Sequence, residues 1–140
     1  DRARPLKVTC HRAFDMTRDP FEALEDCIEL GFDRILTSGQ QATASKGVDL
    51  ISQLIQKAKG RIVIMPGTGV NEDTVVEIVQ KSRANEIHFS ATTFRESAMQ
   101  YLNPNIAGMG SDEGTEYKLR VVDPQRVKTM RQLAEAALPK

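Results

Sequence analysis

The chain has 140 residues, 40% hydrophobic and 27% charged, which suits one ordinary domain with a core of its own. Lysine plus arginine balances aspartate plus glutamate at 19 each, so no net charge draws the chain to nucleic acid or to an anionic membrane surface. The longest apolar runs are strand-sized and too short to span a bilayer, and Cys10 and Cys27 make neither a disulfide framework nor a zinc-ligand spacing.

The opening Asp1-Arg2-Ala3-Arg4-Pro5 has no initiator methionine and no apolar signal core, so it reads as an internal start with a block of sequence expected before it. The first predicted strand covers residues 6–10, where alternation puts Leu6, Val8 and Cys10 on one face and Lys7, Thr9 and His11 on the other. Asp19-Pro20-Phe21-Glu22 then offers an N-cap, a proline at the first helical position and a capping acid, and the helix it starts should end at Gly31. A second strand is predicted at 34–38, and a helix at 49–59 carries Leu50, Ile51, Leu54, Ile55 and Ala58 before Gly60. A third strand at 61–65 leads through Pro66-Gly67-Thr68-Gly69 to a helix beginning near Asn71. The fourth strand is predicted at 86–90, with Ile87 and Phe89 on one face and Glu86, His88 and Ser90 on the other. Residues 91–122 are rich in turn formers, with room for a short helix, and Asp123-Pro124 opens the last helix.

Strand starts fall 25 to 28 residues apart, near the roughly 30 per unit of a (β/α)₈ barrel. Alternating strands and helices imply a parallel sheet. The central strands of a doubly wound sheet are apolar on both faces. These strands have one apolar and one polar face, as a barrel wall does. The expected architecture is therefore α/β, a (β/α)8 TIM-type barrel of which residues 1–140 supply four consecutive C-terminal βα units of a single domain.

Barrel sites lie on the loops after the strands, and the reactive residues fall there. His11, Arg12 and Asp15 follow the first strand: a base titrating near neutrality, an anion clamp and an orienting carboxylate. His88 shares the predicted inward direction of His11. These four are the candidate catalytic residues. The alternative is structural, with Arg12 paired to Asp15, His11 filling the mouth and His88 a satisfied core residue. Arg12, Ser38, Gly39, Gly67, Thr68, Gly69 and Ser90 are the candidate anion-binding residues, because glycine turns can aim N–H groups at a ligand. Pro66-Gly67-Thr68-Gly69 lacks the third glycine of a dinucleotide fingerprint and the lysine of a P-loop, so a plain strand-to-helix turn is the favoured reading over an anion site. The soft donors are Cys10, Cys27, Met16, Met65, Met99, Met109 and Met130; Cys10 should face the helix layer and Cys27 lies within a helix, so both read as small buried hydrophobes.

The blocks Val8-Thr9-Cys10-His11-Arg12-Ala13-Phe14-Asp15, Leu36-Thr37-Ser38-Gly39, Gly60 to Gly69 and Glu86-Ile87-His88-Phe89-Ser90-Ala91, in that order, resemble the CutC family of copper-homeostasis proteins. The resemblance runs from about Lys7 to Ala137. It departs from the family's pattern at Cys10, where phenylalanine is common, and at Thr68, where glycine is usual. It implies a cytoplasmic homo-oligomer (the nucleus also being open) that binds or buffers copper ions, on a barrel about twice this length. It assigns no copper ligand to Cys10 or Cys27. The residues themselves leave a second reading open: a barrel enzyme acting on a small anionic, phosphorylated or similar metabolite.

Overall fold

The computed structural model of the chain describes residues 4–103, 105 and 115–138. Three parallel strands, β1 (Thr9–Cys10), β2 (Arg34–Thr37) and β3 (Val63–Pro66), lie side by side in that order. Helix α1 (Pro20–Glu29) joins β1 to β2, α2 (Val48–Ala58) joins β2 to β3, and α3 (Val75–Ser82) follows β3. The mixed α/β class and the parallel sheet are as the alternation of patterns implies.

Local chemistry sets the element ends. Asp19 Oδ1 accepts from the N–H groups of Phe21 and Glu22 at 2.8 and 3.1 Å, with Pro20 at the first helical position. The helix closes where Gly31 takes a left-handed φ of 75° and donates its N–H to Ile28. Helix α3 starts four residues after Asn71, whose Oδ1 instead accepts from Asp73 and Thr74 to form a turn before it.

One face of the sheet is dry. Ile35 and Thr37 of β2 and Ile64 and Pro66 of β3 are buried on it. Their apolar partners in the core include Leu24 and Cys27 of α1, Ile51, Leu54 and Ala58 of α2, and Val75, Ile78 and Val79 of α3. Met130 and Ala137, from the later part of α4 (Pro124–Ala137), belong to the same core. Each such leucine or isoleucine contributes about 1.5–3 kcal/mol through burial. The alternate residues Arg34, Leu36, Val63 and Met65 are only half-buried. Arg34 makes a bidentate ion pair with Glu86 at 2.5 and 3.1 Å.

Three expectations change. The first strand is two residues long rather than five, and Leu6 is 70% exposed instead of facing the helices. Residues 86–90 form no strand ladder; His88 donates its N–H to Pro66 O at 2.9 Å, a single bond where a fourth parallel strand was expected. Among the described residues this segment has a sheet neighbour on one side only, so nothing fixes a longer register. The third change concerns residues 91–122, where a short helix had room. Residues Ser90–Lys128 form a separate unit, and its main feature is an antiparallel pair, β4 (Thr92–Glu96) with β5 (Lys118–Val122), in register from Thr92 opposite Val122 to Glu96 opposite Lys118. Its threonines, valines and Phe94 favour a pleated surface. The Arg120 guanidinium lies 5.6 Å from the centre of the Phe94 ring. Among the described residues no helix is long and apolar enough to cross a membrane.

Candidate functional site

The loops after β1 and β2 meet at one carboxylate. The chain leaves β1 at Cys10 and enters a short 3-10 helix, Arg12–Met16, with His11 as its cap. That turn carries Asp15 toward the end of β2, where its side chain is only 6% exposed. Oδ1 of Asp15 accepts from Thr37 Oγ1 at 2.5 Å and from the N–H groups of Ser38 and Gln40 at 3.2 Å each. Oδ2 accepts from Arg12 Nε at 2.8 Å, and lies 3.0 Å from Ser38 N and 3.1 Å from Ser38 Oγ. Burial pushes the Asp15 carboxyl up, but the bonds from Thr37, Arg12, Ser38 and Gln40 outweigh it and hold the group below the usual carboxylate range. The acid is ionised and its lone pairs are committed.

Arg12 is anchored at two points. Nε donates to Asp15 and Nη2 donates to Ser38 Oγ at 2.8 Å, while Ser38 Oγ donates in turn to Gln41 O at 2.5 Å. Nη1 makes no hydrogen bond among the described residues, so this fixed guanidinium can present one edge to an anion. His11 is exposed, and its Nδ1 accepts from the Ala13 N–H at 3.0 Å. His88 is exposed, with Cβ and Cδ2 beside Gly67. Arg12, Asp15 and Ser38 are thus brought together, whereas no hydrogen bond among the described residues joins His11, Asp15 and His88. The carboxylate expected to orient His11 instead orders Arg12, Thr37, Ser38 and Gln40.

The glycine turns are built for close packing. The Gly39 N–H is donated to Thr37 Oγ1 at 2.9 Å and the Gly67 N–H to Thr37 O at 2.9 Å. With Ser38 N held by Asp15, three of the amides expected to face an anion are already engaged. Thr68 and Gly69 both take left-handed φ angles, 75° and 70°, and Thr68 O accepts from the Ala44 N–H. Ser90 is exposed and belongs to the second unit.

Of the soft donors, Met16 is 87% exposed, Met99 is exposed, Met65 is half-buried and Met130 is buried in the core. Met109 lies outside the described residues. Cys27 is buried in the core and Cys10 is half-buried against it, its thiol 3.7 Å from the His11 carbonyl oxygen. Burial first, then the neighbouring Cys10 thiol, pushes the Cys27 thiol up to about 12. Cys27 is thus the small buried hydrophobe expected within its helix, while Cys10 is only partly buried.

Parallel strands joined by helices, with polar side chains gathered on the loops that follow them, define an α/β protein of the strand–helix repeat class. The chain belongs to the CutC family, whose model matches residues 1–93. It is similar to the family protein CutC of Parabacteroides distasonis, 51% identical over 90% of this chain and 52% of that protein. The copper homeostasis protein cutC homologs of Mus musculus and Homo sapiens are 47% and 46% identical over 96% of this chain and 50% of their own length. The chain spans about half the length of the curated relatives it matches. Among solved structures, the Streptococcus agalactiae protein named for copper homeostasis, CutC, superposes with a TM-score of 0.57 at 29% identity, over 61% of this chain and 42% of that one.

Proposed function

We propose that the chain is the C-terminal half of a (β/α)8-barrel protein of copper homeostasis, which binds or buffers copper in the cytoplasm as a homo-oligomer. The observation that carries this reading is the family membership, with relatives at 46–47% identity named for copper homeostasis. The barrel is supported by the parallel β1-β2-β3 order, the strand spacing and the doubled length of the relatives. The cargo expected in a reducing compartment is Cu(I), which favours soft sulfur donors. An acid–base enzyme acting on a small anion is not favoured, because the carboxylate it needs beside His11 is saturated by other donors.

The test is a competition between the full-length protein and a chromophoric Cu(I) chelator of known affinity, without oxygen. Stoichiometric withdrawal of Cu(I) from the chelator is expected. A full-length protein that leaves the chelator fully loaded would rule the reading out.

A further inference from the structure

We propose that Arg12 anchors a binding site for the carboxylate group of a small molecule, which it grips through the end of its guanidinium. The inference goes beyond the copper role and does not depend on it. A guanidinium offers two hydrogen-bonding edges, a side edge made by Nε and Nη2 and an end edge made by Nη1 and Nη2. The side edge of Arg12 is spent inside the protein, Nε on Asp15 Oδ2 and Nη2 on Ser38 Oγ, each at 2.8 Å. The end edge, Nη1 with the second N–H of Nη2, has no partner among the described residues.

The side edge is held firmly enough to make the end edge a fixed feature. Asp15 accepts from Thr37, Ser38 and Gln40 as well as from Arg12, so it cannot swing away. Ser38 is buried, and its hydroxyl is fixed in turn on Gln41 O. Phe14, two residues beyond Arg12, is sunk in the core and pins the short helix that carries both partners. Gln40 is a non-glycine residue at a left-handed φ of 55°, kept there by its N–H bond to Asp15 and its side-chain bond to Thr17 O at 2.7 Å. Strain of that kind gathers at ligand sites. The arginine side chain still leaves 40% of its surface open, just beyond the carboxyl ends of β1 and β2. Ligands of parallel α/β sheets bind at that end.

The chemistry narrows the ligand. Two parallel N–H groups match the two oxygens of a planar carboxylate. Charge then selects a carboxylate over a phosphate. Arg12 is already offset by the ionised Asp15, so the ligand joins a pair with no net charge of its own. A carboxylate brings a single negative charge. A phosphate group carries roughly 1.5 to 2 near neutral pH, and Asp15 would repel it up to about twice as strongly. Because the arginine is ordered beforehand, binding does not have to freeze it.

The test treats the full-length protein with phenylglyoxal, which condenses across Nη1 and Nη2 of an accessible arginine, and maps the modified peptides with and without acetate. Sodium chloride keeps the ionic strength constant. Arg12 is expected to react readily alone and to be protected by millimolar acetate, with inorganic phosphate protecting less. A folded Arg12→Lys variant should bind acetate at least about tenfold more weakly by calorimetry, since an ammonium cannot make the paired bonds. The mapping needs no substitution, so it decides the matter even where that variant fails to fold. An Arg12 that is inert without acetate has its end edge covered by the protein itself, and the proposal fails. It fails equally if acetate protects no better than chloride, if phosphate protects more, or if the folded variant binds acetate as tightly.

Discussion

Asp15 accepts hydrogen bonds from donors spread over residues 12 to 40, and two loops depend on it. Replacing it with alanine strands buried donors of Thr37 and Ser38, so Asp15→Ala should cost about 2–4 kcal/mol, read from the shift in a urea denaturation midpoint. A second acid has a pH signature. The Val8 N–H and the Lys7 ammonium hold Asp33 down to about 2, from an ordinary value near 3.8. A folded-state value below the unfolded one means the stabilisation is complete above roughly pH 4 and is lost as pH falls toward 2. Asp33→Asn should therefore flatten the decline in stability between pH 4 and 2 while lowering stability at pH 7. An unchanged acid limb in denaturation curves would contradict it. The Arg12–Asp15 pairing was legible as one of two readings of a short motif. The donors from Thr37, Ser38 and Gln40 were not, because they lie 22 to 25 residues further on.

Helices α1, α2 and α4 were legible because each carries its own punctuation: Asp19-Pro20 and Gly31 around α1, Gly60 after α2, Asp123-Pro124 at α4. The β4–β5 pair was not, since its partners are separated by a turn-rich stretch and no local period announces an antiparallel contact of that span. The connection from β2 to α2 depends on glycine at two facing positions. Gly39 has a φ of 66°, and a Cβ there would collide with the backbone of Gly47. Gly39→Ala should lower stability by at least about 2 kcal/mol through backbone strain and overlap, measurable as a fall in Tm. Gly60→Ala is the contrasting case: its φ of 77° carries the strain, but a Cβ would meet open space. The smaller loss expected there isolates the steric part of the Gly39 penalty.

The sheet buries one face against helices and leaves Leu36, Val63 and Met65 half-exposed on the other, with β1 as an unpaired margin among the described residues. Such surface invites association. The 140-residue chain by itself is expected to dimerise or aggregate, with a sedimentation coefficient that rises with concentration. A monodisperse monomer that melts cooperatively would contradict that. Association should weaken with Leu36→Lys, which places a charge on the exposed face without touching the core.

The junction of the first two loops depends on the charge of a single acid. The amides of Ser38 and Gln40 should exchange hydrogen slowly at neutral pH, as though they belonged to a strand. Once Asp15 takes up a proton it loses acceptor strength toward them, and they should begin to exchange while the amides of β2 and β3 remain protected. Acid would thus open the chain first at that junction, leaving the sheet intact beneath it.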